Sequence, residues 1–217
     1  MMPSAPTAPP LRRDAAVNRE RILAAAIEVF STAGADAGID DIARRAGVGV
    51  GTVYRRFPTK EALVQAITAQ LMRDLLVLAG QALDEPAADA LAAFLTGAGD
   101  LQARHAGCLW QLWSSGPESD QIRAELRNSV QQVLLRAQAC GAVRDDLTYE
   151  DVAMVLWSLA GVVESVRDVQ PDLWRRTLEV LLLGLRPTGT PLSSPPLRPG
   201  GLDEVSRQTS DRRGRQG

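Results

Sequence analysis

Apolar residues recur at helical spacing along most of this 217-residue chain. The clearest stripe near the N-terminus consists of Ile22, Leu23, Ala26, Ile27 and Phe30. No segment shows a convincing alternation of apolar and polar residues, which is the pattern of a half-buried strand. Glycines and prolines divide the helical pattern into about nine segments. We therefore predict an all-α fold of about nine helices.

The two ends of the chain differ in composition from its centre. The first ten residues contain four prolines and no charged side chain, and residues 186–217 are rich in Pro, Gly, Ser and Arg. Both compositions are typical of disordered segments. We predict a disordered arm over 1–14, an N-terminal domain over 15–75, a C-terminal helical domain over 76–186 and a disordered tail over 187–217.

The net charge of −2 conceals an uneven distribution. Residues 11–60 contain nine basic and six acidic side chains, whereas residues 61–185 contain nine basic and seventeen acidic ones. The stretch from Ile42 to Lys60 has five basic side chains and no acidic one. This pattern favours an anionic partner for the N-terminal part alone, although a solvated basic face would have the same composition.

Two short helices are predicted at 38–57, inside the N-terminal domain. The first covers about Ile39 to Ala46 and the second Val50 to Phe57, with the turn Gly47-Val48-Gly49 between them. A pair of short helices joined by a glycine-containing turn is the helix-turn-helix motif, whose second helix enters the major groove of DNA.

The second of these helices has two different faces. At 100° per residue, Thr52, Arg55 and Arg56 share one side, and Val53 and Phe57 share the other. We expect the first side to face outward and the second to pack on the neighbouring helices. Gly51 leaves the start of the helix bare, and Tyr54 flanks the apolar pair with its hydroxyl able to reach outward.

The residues of this region resemble those of a known family. The patterns R-x-R-I-L-x-A-A-x-x-V-F at Arg19–Phe30 and I-A-x-x-A-G-V-x-x-G-T-V-Y-x-x-F-x-x-K-x-x-L at Ile42–Leu63 are similar to the N-terminal domain of the TetR family of transcriptional regulators. The resemblance implies a homodimeric DNA-binding protein whose helical C-terminal domain binds a small molecule.

The resemblance also implies which residues contact DNA. Thr52, Tyr54 and Lys60 would hold phosphates, and Arg55 and Arg56 would contact base edges or phosphates. The remaining candidates are Val50 and Gly51, which offer shape and methyl contacts, and Arg44. For Arg44 and its neighbour Arg45 a solvated helix face is the favoured alternative. Lys60 is the only lysine in the chain, beside 23 arginines.

Two glycines depart from the family pattern. Gly38 and Gly49 occupy positions where the family often has Ser or Thr as helix caps. We expect these two helices to be capped more weakly, by a few tenths of a kcal/mol.

The last two predicted helices, about 150–168 and 171–185, are strongly apolar. Thr148-Tyr149-Glu150-Asp151 resembles a capping box and predicts where the first of them begins. Pairing both helices with their symmetry mates would give a four-helix dimer interface, the alternative being the core of a monomer. The predicted interface residues are Val155, Leu159, Val163, Leu178, Leu181 and Leu182.

A small-molecule effector would need polar anchors in the C-terminal domain. The candidates are Arg104, His105, Trp110, Trp113 and Trp157, with a structural role for the histidine and plain core packing for the tryptophans as the alternatives. The low aromatic content of 4% suggests an apolar effector.

Other classes of function find little support in the sequence. One histidine and two separated cysteines provide no catalytic constellation, metal site or disulfide framework, so we predict no enzyme activity, no metal and no cofactor. No stretch of eighteen apolar residues or secretory signal is present, which makes the cytoplasm the expected location. The chain is therefore predicted to be a ligand-responsive repressor that binds a partly palindromic DNA operator. The alternatives are a helical interaction protein without DNA binding and, less favoured, an enzyme.

Overall fold

The fold is all-α, as predicted from the sequence. A computed structural model describes residues 10–33, 37–106, 117–198, 200–202, 204, 205 and 208. In these residues eight helices follow one another: α1 (Pro10–Ala33), α2 (Ile39–Ala46), α3 (Val50–Arg56), α4 (Lys60–Asp84), α5 (Ala87–Arg104), α6 (Pro117–Ala139), α7 (Tyr149–Val166) and α8 (Leu173–Gly184).

Helices α1 to α3 and the first turns of α4 form a small N-terminal unit, which we call the head. Its core contains the fully buried side chains Ile22, Phe30, Ile42 and Val53. The sharp turn between α2 and α3 depends on Gly47, whose φ of 66° lies in the left-handed region and whose N–H bonds back to the end of α2. The burial of these few residues fixes how α3 lies on the head.

Helix α4 connects the head to the rest of the protein. Leu63 and Ile67 are buried near its start, and Leu71, Leu75 and Ala79 are buried farther along. By length and composition alone α4 could cross a membrane, but half of its most apolar window is buried inside the protein, as in a core helix.

The remainder of α4 and helices α5 to α8 form the second unit, the body. Its core includes Leu91, Leu95 and Leu159, all with no more than 1% of their surface exposed. At Gly99, α5 comes so close to α8 that an added Cβ would lie 2.3 Å from Cζ3 of Trp174. The glycine therefore allows the buried indole to lie directly on the α5 backbone.

The predicted start of α7 is confirmed. The hydroxyl of Thr148 accepts a hydrogen bond from the N–H of Asp151, and the carboxylate of Asp151 accepts one from the N–H of Thr148. This reciprocal pair is a capping box with Asp in the acidic position.

The segment after α8 begins the predicted disordered tail, and its first residues lie against the loop between α6 and α7. The carboxylate of Asp146 accepts hydrogen bonds from the N–H of Leu192, at 2.8 Å, and from the guanidinium of Arg144, at 2.5 and 2.8 Å. Arg144 also donates to the carbonyl of Thr190. The bonds from Arg144 and then from Leu192 lower the pKa of Asp146 from 3.8 to about 2.

Replacing Asp146 by Ala should release residues 187–192. Because the pKa of Asp146 is lower in the folded protein than in the unfolded chain, its stabilising effect is present above about pH 4 and is lost as the pH falls through about 2. At pH 7 we expect faster hydrogen–deuterium exchange over 187–192 in Asp146→Ala than in wild type. Asp145→Ala, an exposed neighbour, is the control, and equal exchange in both variants would contradict this role of Asp146.

Candidate nucleic-acid interface

The two faces of α3 lie as its sequence predicts. Val53 and Phe57 are 0% and 5% exposed and pack in the head. Arg55 and Arg56 are exposed, Thr52 is half-buried and Tyr54 is 48% exposed. The helix therefore presents a hydroxyl, a phenol and two guanidinium groups on its open side. Their roles as DNA contacts remain predictions.

The two arginines of α3 are available for a ligand. Within the described part of the chain, neither Arg55 nor Arg56 forms an ion pair or hydrogen bond with another side chain. Guanidinium groups pair with phosphate and with guanine through two parallel hydrogen bonds. An anionic groove could therefore bind both arginines without first breaking an internal contact.

The arginines of α2, in contrast, have acidic partners. Arg44 bonds to Asp41 at 2.8 Å, one turn earlier on the same helix. Arg45 pairs with Glu28 of α1. Exposed pairs of this kind contribute about 0–1 kcal/mol, so a phosphate could displace Asp41 from Arg44 at little cost. Arg45 instead joins α2 to α1.

Lys60 lies at the start of α4, close to α1. Its ammonium is 5.7 Å from the ring centroid of the buried Phe30, and the side chain is half-buried. Thr59 caps the helix, since its hydroxyl accepts from the N–H of Ala62 at 3.1 Å. The packing against Phe30 holds the lysine near the helix N-terminus, where backbone N–H groups also favour an anion.

Helices α2 and α3 begin at glycine caps, and neither cap supplies a side-chain hydrogen bond, as predicted from the sequence. Gly38 and Gly49 have extended backbone angles, and no side chain bonds to the first turn of either helix from these positions. A Cβ added at Gly49 or at Gly51 would meet nothing within 4 Å. Packing within the protein therefore does not require glycine at the start of α3.

Replacing Gly51 by Ala should change stability and DNA affinity in opposite directions. The change should raise the free energy of unfolding by up to about 1 kcal/mol, because alanine loses less backbone entropy in a helix. We expect it to weaken DNA binding about tenfold, since a methyl group would stand between the helix and the groove. Gly80→Ala in α4 also has open space and should raise stability without changing DNA affinity, as measured by thermal unfolding and fluorescence anisotropy. Unchanged DNA affinity in Gly51→Ala would argue against a close approach here.

The effector candidates do not form one group. Arg104 ends α5 and His105 caps it, and both line a cleft that faces α1. Trp157 is half-buried on α7. Trp110 and Trp113 lie outside the described residues. Burial and then the charge of Arg104 lower the pKa of His105, while Asp74 acts in the opposite direction.

The sequence analysis missed a polar residue in the body. Gln102 is 4% exposed, and its amide N–H donates to the carbonyl of Leu156 on α7 at 3.0 Å. Its position was a usable signal, because Leu91, Leu95 and Ala98 precede it on the apolar stripe of α5. A glutamine on such a stripe indicates a buried hydrogen bond between helices.

The six predicted interface residues fall into two groups. Leu159, Val163 and Leu178 are buried in the protomer's own core, and the other three are half-buried against it: Val155, Leu181 and Leu182. The exposed apolar side chains of α7 and α8 are Met154, Val180 and Leu183, at 38%, 61% and 58%. Val155, Leu181 and Leu182 thus remain partly accessible to a partner chain, and the interface assignment stays a prediction.

Two family models match the chain. The one described as "Bacterial regulatory proteins, tetR family" covers residues 22–67, which include α2 and α3. The one described as "Transcriptional regulator SbtR-like, C-terminal domain" covers residues 85–187.

Curated relatives match over a short part of the chain. The chain is 48% identical over 58 residues to the HTH-type transcriptional regulator YvdT of Bacillus subtilis and 44% identical over 63 residues to the HTH-type transcriptional regulator SrpR of Pseudomonas putida. These alignments cover 26% and 29% of this chain and 30% of each relative, so the match spans less than a third of their length.

Crystal structures of relatives match the head and body together. The TetR transcriptional regulator SCO0520 from Streptomyces coelicolor is 35% identical, with a TM-score of 0.61 over 78% of this chain and 99% of that one. The TetR transcription regulatory protein from Mycobacterium vanbaalenii is 32% identical, with a TM-score of 0.61 over 82% and 100%. With these identities and near-complete coverage of both relatives, the chain belongs to the TetR family of transcriptional regulators.

Proposed function

We propose that this protein is a homodimeric repressor that binds a partly palindromic operator and is released by a small effector. The observation that carries the proposal is the open face of α3, where Arg55 and Arg56 are exposed and have no acidic partner within the described residues. The head core holds this face outward. The cytoplasm, which contains the DNA, is the expected location.

The charge of the head also supports a dimer. Residues 11–60 carry nine basic and six acidic side chains. The resulting net positive charge is small for a unit that binds the phosphates of DNA. Two heads double this charge and present two copies of α3, about 34 Å or a multiple of it apart along the DNA. A two-fold axis in the protein would be mirrored as palindromic symmetry in the operator.

Repression follows from occupancy of a promoter. A dimer bound there excludes polymerase, and a ligand that prefers another spacing of the heads lowers the affinity for the operator. The ligand can change the affinity only by as much as it discriminates between the two arrangements.

Selection of genomic DNA fragments by the purified full-length protein tests this function. We expect the retained fragments to share an inverted repeat upstream of a transcribed region. Transcription from such a fragment should fall when the protein is added. An absence of enriched sequences would favour the helical interaction protein without DNA binding, and increased transcription would contradict repression.

Charged substitutions on the exposed face of α8 test the dimer. Val180→Glu combined with Leu183→Glu should shift the protein to monomers in sedimentation velocity, because two carboxylates would be buried in an apolar interface. Operator affinity should fall with the loss of the second head. Val77→Glu on α4 is the control, since Val77 is 58% exposed on another helix. A double variant that remains dimeric would place the interface elsewhere.

A further inference from the structure

A cleft of about 620 Å³ lies where the head meets the body. One wall is α1, with Ala24 and Ile27 as its apolar part, and another is the end of α5, with Arg104 and His105. Arg45 of α2 completes the lining together with its partner Glu28. A volume of this size is typical of small-molecule sites in proteins.

The cleft has an excess of positive charge. Its lining residues contain two arginines and one glutamate. Because Glu28 is already paired with Arg45, the charge of Arg104 is left without an acidic partner among the described residues. Arg104 is exposed, so its guanidinium can turn toward a ligand without breaking an internal contact.

His105 lies beside Arg104 on the same wall of the cleft. Its Nδ1 is buried, so this atom is not on the surface that a ligand in the cleft would meet. Burial and then the charge of Arg104 lower the pKa of His105, while Asp74 acts in the opposite direction. The exposed guanidinium of Arg104 is therefore the anion-binding group of this wall.

We propose that this cleft binds a small amphipathic carboxylate, with the anionic group on Arg104 and the apolar part against Ala24 and Ile27. The carboxylate accepts hydrogen bonds from the guanidinium of Arg104. A neutral apolar ligand would leave this guanidinium without a partner. This assignment gives the effector of the proposed function a chemical class and a place, and its regulatory part rests on that function.

The position of the cleft explains how a ligand there would act on DNA binding. Arg45 and Ile27 belong to the head, whereas Arg104 and His105 belong to the body. The α1 wall of the cleft is also joined to the segment that follows α7, because the guanidinium of Arg167 donates to the carbonyl of Ser31 at 3.2 Å. A ligand that contacts both units stabilises one orientation of the head relative to the body, and with it one spacing of the two α3 helices.

Calorimetry with two matched probes tests the ligand class. 2-Naphthoate and 2-naphthamide have nearly the same shape, and only the first is charged at pH 7. We expect wild-type protein to bind naphthoate at least about tenfold more tightly than naphthamide. Arg104→Gln should lose about tenfold in naphthoate affinity, and Arg104→Lys should retain most of it. Arg186→Gln, which removes an exposed charge at the end of α8, is the control.

Three results would overturn the site: no binding of naphthoate to wild type, equal affinity for the two probes, or unchanged affinity in Arg104→Gln. Naphthoate should also change the affinity of wild type for its selected DNA, and not that of Arg104→Gln. No change in the DNA affinity of wild type would overturn the regulatory part.

Arg55→Gln distinguishes this proposal from the proposed function, because it should lose DNA affinity and still bind naphthoate. If neither wild type nor Arg55→Gln binds DNA, the repressor proposal fails. The ligand site in the cleft still stands if naphthoate binds more tightly than naphthamide and loses affinity in Arg104→Gln.

Discussion

The double variant Arg55→Gln/Arg56→Gln is expected to bind its selected DNA at least about 100-fold more weakly than wild type. A bidentate arginine contact to a base edge is worth about 1–3 kcal/mol, and a dimer makes each contact twice. Neither arginine has an acidic partner in the described part of the chain, so removing them leaves no unpaired carboxylate in the head. The loss should therefore be confined to DNA binding, with the melting temperature nearly unchanged.

Salt titrations of the single variants separate the two kinds of contact. An arginine on phosphate should weaken binding to all sequences and lower the slope of log affinity against log salt by about 0.9 per contact. An arginine on a base edge should relax the preference for one position of the site and leave the slope nearly unchanged. Arg186→Gln with Arg198→Gln removes two exposed charges near the C-terminus and is the control. Wild-type affinity in the Arg55/Arg56 double variant would contradict the assignment of α3.

The orientation of α3 could be predicted from the sequence because it depends on local geometry. Once seven residues form a helix, the angle between Thr52 and Val53 is fixed, and only the choice of inner face remains. The apolar pair Val53 and Phe57 settles that choice by burial. Gly47 at the end of α2 is equally local, because a left-handed residue there favours glycine. The capping box at Thr148 is a third local feature.

The sides of α7 and α8 that stay exposed could not be predicted in this way. Both helices are apolar on more than one side, so periodicity does not tell which side α5 covers. The answer depends on Trp174, which packs on the backbone of α5 at Gly99. Because Leu178 lies one turn after Trp174 on the same side of α8, it is buried in the protomer core as well. Leu183 is left outside as a consequence. That contact joins residues 75 positions apart and has no local signature.

Long-range polar contacts escaped the sequence analysis for the same reason. The bond between Gln102 and the carbonyl of Leu156 joins α5 to α7, and the Arg45–Glu28 pair joins α2 to α1. Composition predicts a disordered segment from residue 187, yet Asp146 bonds to the N–H of Leu192. In each case the partner is chosen by the packing of segments that lie far apart in the sequence, which the order of residues does not reveal.

Gly99→Ala is expected to lower the free energy of unfolding by about 1–3 kcal/mol, whereas most glycine-to-alanine changes in helices raise it. The added Cβ would lie 2.3 Å from Cζ3 and 2.8 Å from Cε3 of Trp174, inside any tolerable contact distance. Because Trp174 is 1% exposed, its ring cannot move away without disturbing the core around it.

A double-mutant cycle isolates this contact. Phe at position 174 lacks the outer ring of the indole, so Gly99→Ala should cost much less in a Trp174→Phe background than in wild type. Gly80→Ala is the matched control, since its Cβ would meet nothing within 4 Å and the change should stabilise the protein. Urea unfolding of the four proteins of the cycle and the control gives the coupling energy. If Gly99→Ala were as stabilising as Gly80→Ala, the close packing of α5 on α8 at Trp174 would be refuted.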